Sequence, residues 1–191
     1  MRRNISNENH LIRLAVHLLS NIGKEFSFNK LSKSLEFKSV RTVIDYCGYL
    51  NESYLLDFIT LYSSSVKKQM INPKKAYSID PAFAQSNSLS FSKDLGRRLE
   101  NFVYLKLRQR YKDIFYYQSA NNECDFICKY NEKVVLAIQA CWEINNENIE
   151  REISGLKTAM EGTKTSEGAI ITYNQEDEIH DIKLIPIWKW L

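Results

Sequence analysis

The sequence predicts an α/β protein of two domains, residues 1–82 and residues 83–191, on the basis of three observations. The first half shows three short helical patterns followed by two β-rich stretches, whereas the second half alternates helices with strands. The charge is divided as well: residues 1–90 carry 12 Lys and Arg against 7 Asp and Glu, while the remainder is slightly acidic. Between the halves, residues 80–90 have little periodicity and are predicted to be the linker.

The composition is typical of a globular protein, with 191 residues, 44% hydrophobic and 26% charged. No stretch approaches the roughly 18 apolar residues that are needed to cross a bilayer. The first ten residues lack the apolar core of a signal peptide. We therefore expect a cytoplasmic protein with no membrane partner. In that compartment the cysteines are expected to be free thiols; they are Cys47, Cys124, Cys128 and Cys141.

Three helices are predicted within residues 7–50. The first has apolar residues at helical spacing up to Ile22, and Gly23 follows as a stop signal. Ser27 and Ser39 precede the second and third patterns and are predicted to be their N-caps. The predicted apolar stripe of the third helix consists of Val40, Val43, Ile44 and Cys47. Its predicted solvent-facing residues are Arg41, Thr42, Asp45 and Tyr46.

The β-rich stretches 54–62 and 74–80 follow, separated by a polar segment that contains Ser63–Ser65, Lys67 and Lys68. Three short helices followed by a basic hairpin are the plan of a winged helix-turn-helix. In such folds the third helix enters the major groove of DNA and the hairpin contacts phosphates. The candidate DNA-binding residues are therefore Lys38, Ser39, Arg41, Thr42 and Tyr46 on the helix, with Lys67, Lys68, Lys74 and Lys75 on the hairpin. Protein docking or packing between domains remains open for the same surface.

The second half begins with a long helical pattern over residues 92–111 and a strand over 114–118. Residues 123–144 then read as two strands joined by a tight turn. A second helix is predicted over 146–160, followed by strands over 168–173 and 182–188. This order predicts a mixed sheet flanked by helices.

The hairpin places chemistry-bearing residues in the frame of a metal-dependent nuclease. Asp125 lies on its first strand, and Gln139, Cys141 and Glu143 share one face of the second because strand residues alternate. Nucleases of this kind hold a magnesium-class ion with two acids and assist the nucleophile with a lysine. Here Gln139 and Cys141 stand where the second acid and the lysine belong. The same alternation predicts Cys124 and Cys128 on one face of the first strand, with Asp125 on the other.

The order of these motifs resembles the C-terminal half of a widespread group of prokaryotic AAA-type ATPases. The matching residues are KKAYSID (74–80), LGRRLENFVYLKLRQR (95–110), ECDFI (123–127), AIQACWEI (137–144), EREISGL (150–156) and IPIWKWL (185–191). In that group an ATPase module precedes a winged helix and a PD-(D/E)XK nuclease-like domain, that is, a restriction-endonuclease-like fold. The resemblance implies the same two domains here, an upstream ATPase module as partner, and Glu100 as a further acid of the nuclease set.

One departure from the group is plain: no GxxxxGK[ST] phosphate-binding loop occurs in the sequence. We therefore expect no ATP binding through such a loop. Because Gln139 and Cys141 replace the second acid and the lysine, we expect a non-catalytic DNA- or partner-recognition region with a degraded nuclease site and no cofactor. The alternative is a Mg²⁺- or Mn²⁺-dependent DNA endonuclease with a migrated site at Asp125 and Glu143, where Asp125 is the best metal candidate. A third alternative is an oligomerisation module that forms a homo-oligomer.

Overall fold

The structure is a computed structural model that describes residues 8–87 and 94–190. The chain forms two compact units. The described residues of the first unit are 8–58 and 73–87, and those of the second are 59–72 and 94–190. Residues 59–72, which lie inside the predicted first domain, thus belong to the second unit.

The first half of the chain contains the three predicted helices and short strands. Its elements are α1 (Glu8–Leu19), β1 (Glu25–Phe26), α2 (Phe28–Ser34), α3 (Val40–Glu52), β2 (Leu56–Leu61), α4 (Val66–Ile71), β3 (Lys74–Ser78) and α5 (Pro81–Asn87). Both predicted N-caps are confirmed: Ser27 Oγ accepts a hydrogen bond from the Lys30 amide and Ser39 Oγ from the Arg41 amide. In the first unit β1 pairs antiparallel with β3, which lies next to β2.

Two predictions about the connecting segments of this half were wrong. The polar segment after β2 contains α4, which is capped by Ser65. The predicted linker contains α5 up to Asn87, and its residues 88–90 lie outside the described ranges. The reason is local capping: Asp80 Oδ1 accepts hydrogen bonds from the amides of Ala82 and Phe83, and Pro81 occupies the first helical position. Capping thus starts a helix where hydrophobic periodicity alone gives no signal.

The second half has the predicted order of helix, strands, helix and strands, with one short strand and one short helix in addition. The elements are α6 (Leu95–Arg110), β4 (Asp113–Gln118), β5 (Glu123–Tyr130), β6 (Lys133–Ala140), α7 (Ile149–Thr163), β7 (Gly168–Thr172), β8 (Asp177–Ile179), β9 (Ile182–Pro186) and α8 (Ile187–Trp190). The last predicted strand was too long, because β9 ends at Pro186 and α8 follows it.

The predicted mixed sheet flanked by helices is confirmed. In the second unit the strand order is β2-β4-β5-β6-β7-β9-β8. The pairs β4–β5, β5–β6 and β8–β9 are antiparallel, whereas β2–β4, β6–β7 and β7–β9 are parallel. Phe126 contacts Tyr104 of α6, while its neighbour Ile127 joins the core beneath α7. Since neighbouring strand residues point to opposite faces, α6 and α7 cover opposite faces of the sheet.

The core on the α7 side is built from small and branched side chains. Its buried members are Cys124, Ile127, Ala137, Ile144, Ile153, Leu156, Ala159, Ile170, Ile182 and Leu184.

Within the described ranges, no helix combines the length and the apolar composition that crossing a membrane requires.

Candidate functional site

A bulge in β5 sets the position of Asp125. Phe115 lies opposite Ile127 and Tyr117 opposite Cys124, so two residues of β5, Asp125 and Phe126, face Tyr116 alone. Such a bulge re-aims the side chains next to it. As a consequence Cys124 and Ile127 lie in the same core, and the prediction that Cys124 shares a face with Cys128 was wrong. Strict alternation fails here because one extra residue is inserted.

Asp125 and Gln139 are brought together, as the hairpin predicted. Asp125 Oδ2 accepts a hydrogen bond of 2.9 Å from the amide of Ala140, at the end of β6. Gln139 Oε1 accepts one of 3.2 Å from the amide of Asp125. Both side chains are buried. Each candidate ligand oxygen named here therefore already serves as an acceptor between β5 and β6.

The other end of Gln139 reaches α7. Gln139 Nε2 donates a hydrogen bond of 2.6 Å to Glu152 Oε2. Glu152 is 4% exposed, and its Oε1 accepts hydrogen bonds from Nε and from a terminal nitrogen of Arg151. The Arg151 side chain is 76% exposed, and the hydrogen bond and charge of Glu152 raise its pKa above the ordinary value. We call Asp125, Gln139, Glu152 and Arg151 the polar network.

Sequence reasoning missed Glu152 and Arg151 as members of this site. A signal was present, because Glu152 stands three residues after Ile149 and four before Leu156 on the predicted apolar stripe of α7. An acid on a core-facing stripe must find a buried partner, since a carboxylate is costly to bury alone. Gln139 is that buried partner, and the exposed guanidinium of Arg151 adds a cation.

Cys141 lies beside the polar network as a half-buried thiol. Its Sγ donates to the carbonyl oxygen of Glu143 at 3.3 Å and accepts from Asn148 Nδ2 at 3.6 Å. Burial, and next the charge of Glu152, raise the pKa of Cys141 to about 11. The thiol is therefore neutral near pH 7, and it supplies neither the cation of a lysine nor a thiolate ligand.

The raised pKa predicts slow alkylation of Cys141. Against an ordinary value of 9.0, a pKa of about 11 lowers the thiolate fraction at pH 8 about a hundredfold. We expect iodoacetamide to modify folded Cys141 at least about tenfold more slowly than the urea-unfolded chain, with the rate still rising above pH 10. Peptide mass spectrometry measures the rate at this position. A rate that levels off near pH 9 would show that the thiol has an ordinary pKa.

The remaining nuclease candidates lie elsewhere. The prediction that Cys141 and Glu143 share a strand face with Gln139 was wrong, because β6 ends at Ala140. Glu143 is exposed in the segment after β6, where its carbonyl oxygen accepts from Asn148 Nδ2 at 2.8 Å. Glu100 lies partly exposed on α6, the helix on the sheet face opposite α7. Among the described residues, no group of three or more His, Cys, Asp and Glu is placed to hold a metal ion. Asp125 and Glu152 are the two buried carboxylates that Gln139 links.

The candidate DNA-binding surface on α3 is in part exposed as predicted. Lys38, Ser39 and Arg41 are exposed at its N-terminal end, and Thr42 is half-buried. Arg41 forms an ion pair of 3.1 Å with Asp45 one turn later.

Tyr46 was predicted to face solvent, but it is 3% exposed and its ring packs 5.9 Å from that of Phe37. Conversely Ile44, predicted in the apolar stripe, is exposed. The buried stripe is Val43, Tyr46, Cys47 and Leu50, with spacings of three and four residues. The aromatic ring of Tyr46 fills the core position, so its side chain is not presented to DNA.

The lysines of the predicted hairpin differ in their exposure to solvent. Lys75 is 3% exposed, so the prediction that it contacts the DNA backbone does not fit its burial. Lys74 is half-buried, with Nζ 5.2 Å above the ring of Phe28, and burial lowers its pKa. Lys67 and Lys68 are exposed on α4, which belongs to the second unit. The exposed cations of the first unit's predicted surface are therefore those around the start of α3.

Comparison with known proteins adds two matches. A family described as a domain of unknown function, DUF8612, matches residues 2–94. An uncharacterized protein of Methanocaldococcus jannaschii is 35% identical over 206 aligned positions, which cover 98% of this chain and 45% of the relative. The chain thus spans less than half the length of that relative. No solved structure gives a significant match.

Proposed function

We propose that the chain is the non-catalytic recognition region of an AAA-type ATPase, binding DNA or a partner protein through its first unit. The observation that carries this proposal is the hydrogen bonding of Gln139, whose oxygen and nitrogen are both engaged by Asp125 and Glu152. A magnesium-class ion is held in proteins by oxygen ligands that include one or two carboxylates. Here the position of the second acid is neutral and serves to join β5, β6 and α7.

The order of elements supports the two-domain interpretation. In the first unit α1, β1, α2 and α3 precede β2 and β3, with β1 antiparallel to β3, which is the arrangement expected of a winged helix. In the second, a helix, an antiparallel meander, a crossover helix and parallel strands follow in the order expected of a nuclease-like fold. The additional length of the archaeal relative leaves room for an ATPase module in a protein of this kind.

The N-terminal end of α3 is the proposed DNA contact. Lys38 and Arg41 are exposed there, and the amides of a helix's first turn favour a phosphate. Two or three phosphate contacts give modest affinity that falls as salt concentration rises. The proposed contact therefore positions the protein on the DNA backbone and contributes little to the reading of base sequence.

We expect Arg41→Glu to weaken binding to a labelled duplex about tenfold at low ionic strength, because it replaces a phosphate contact with repulsion. The slope of log affinity against log salt should fall in magnitude by about one. Fluorescence anisotropy measures both quantities. Lys183→Glu, which makes the same charge change at an exposed position of β9, is the matched control and should bind like the parent protein. Equal loss in both variants would contradict a specific surface on α3.

A metal-dependent nuclease remains the second candidate, and one observation favours it. Glu152 and Arg151 bring a carboxylate and a guanidinium from α7 to the point where Gln139 meets Asp125. These are the acid and the cation that β6 lacks, and Glu152 is better placed than the exposed Glu143. Incubation of duplex and single-stranded DNA with Mg²⁺ or Mn²⁺ decides between the two. Cleavage that is abolished by both Asp125→Ala and Glu152→Gln would replace our proposal with this one.

A further inference from the structure

A groove of about 560 Å³ opens along α1 in the first unit. Its apolar lining comes from Ile12, Val16 and Leu35, and its polar lining includes the cations Arg13 and Lys24 together with His17. The volume lies within the range of ligand-binding clefts. Ile12 is 59% exposed, so a large apolar side chain at this groove is left in contact with solvent.

The groove has two parallel rows of side chains on α1. Ile12 and Val16 are four residues apart, and Arg13 and His17 form the neighbouring row at the same spacing. Lys24 extends the basic side of the groove beyond the helix. None of the described residues that line the groove is acidic. Burial, and next the charge of Lys24, lower the pKa of His17, so its imidazole is neutral near pH 7.

We propose that this groove binds an acidic amphipathic segment of a partner protein. Apolar side chains of the segment pack on Ile12, Val16 and Leu35, and carboxylates flanking them face Arg13 and Lys24. A helix that carries an apolar row beside an acidic row has the matching pattern, since groove recognition of helices uses residues at spacings of three and four. The proposal goes beyond DNA binding, because the groove uses none of the candidate residues at the start of α3.

The shape of the groove favours a protein segment over nucleic acid. Duplex DNA is a convex, uniformly charged surface that is contacted by projecting cations. A phosphate chain laid in this groove would desolvate charged oxygens against Ile12, Val16 and Leu35. An amphipathic segment instead buries apolar area there and keeps its carboxylates beside the cations at the edge.

The probe is a fluorescein-labelled designed helix of about 16 residues with leucines on one face and glutamates on both sides of it. Its matched probe carries lysine in place of every glutamate. We expect the acidic probe to bind and to shift the methyl NMR signals of Ile12, Val16 and Leu35. The lysine probe should bind at least about tenfold more weakly, since both cations would repel it.

Two exposed charge reversals, Arg13→Glu and Lys24→Glu, should each weaken the acidic probe about tenfold. Arg41→Glu should leave it within about twofold while lowering DNA affinity, so failure of the groove and failure of the DNA surface are distinguished. Circular dichroism confirms that each variant is folded, and either reversal suffices for the test. Three outcomes would each overturn the proposal. The acidic probe does not bind, or the lysine probe binds equally well, or duplex DNA fully displaces the acidic probe from the Arg41→Glu variant.

Discussion

Gly155→Ala is expected to lower the free energy of unfolding by about 3 kcal/mol or more. An added Cβ at Gly155 would lie 2.2 Å from the carbonyl oxygen of Glu123, a backbone atom of β5 that cannot rotate away. Relief requires α7 to move off the sheet. Glu152 lies one turn earlier on α7, so the same movement would lengthen its 2.6 Å hydrogen bond to Gln139. The glycine thus sets the closeness on which the polar network depends.

Urea denaturation measures this loss, provided that the slope of the unfolding free energy against urea concentration is the same in the variant and the parent protein. Gly48→Ala on α3 is the matched control, because an added Cβ there meets no atom within 4 Å. In a helix interior alanine is favoured over glycine by about 1 kcal/mol, so the control should gain stability. Opposite signs in the two variants are the expected result. A gain in stability from Gly155→Ala would show that α7 does not lie as close to β5 as described.

Glu152→Ala is expected to cost about 2–3 kcal/mol of unfolding free energy. The substitution leaves Gln139 Nε2 buried without its acceptor, and such a group loses the full free energy of its hydration. It also leaves a cavity beneath α7. Arg151 contributes little to this cost, because its exposed guanidinium returns to water.

The controls for this second prediction separate the hydrogen bond from the ion pair. Glu152→Gln keeps an oxygen that can accept from Gln139 and should cost about 1 kcal/mol or less. Arg151→Ala removes an exposed partner and should change stability by about 0.5 kcal/mol or less. Thermal and urea unfolding report all three variants. If Arg151→Ala is as damaging as Glu152→Ala, the ion pair rather than the amide hydrogen bond stabilises this region.

Hydrophobic periodicity was enough to predict most helices and the mixed sheet, because long elements such as α6 and α7 repeat their pattern several times. The meeting of Asp125 with Gln139 was predictable too, since a tight hairpin fixes which strands are neighbours. Helices α4 and α5 escaped prediction because each is only one or two turns long, and local caps at Ser65 and Asp80 start them.

The details of the site depend on packing that no local pattern contains. Tyr46 rather than Ile44 faces the core because α3 is rotated about its own axis relative to the prediction. In this orientation the ring of Tyr46 packs against that of Phe37. The inward turn of Glu152 depends on the contact of α7 with the sheet at Gly155. The bulge at Asp125 is an insertion of one residue that strict alternation does not anticipate.

The chain enters the second unit at Ile59, leaves it at Pro73 and enters it again at Asp94. The segment Ile59–Asn72 contributes Thr60 and Leu61 of β2, which lie opposite Phe115 and Tyr116 of β4. A gene segment that begins after residue 82 would therefore encode a sheet that lacks β2, the strand that pairs with β4. A single cut in the chain cannot separate the two units intact, because each unit is built from two separate segments of the chain. We therefore expect the two units to have been inherited together.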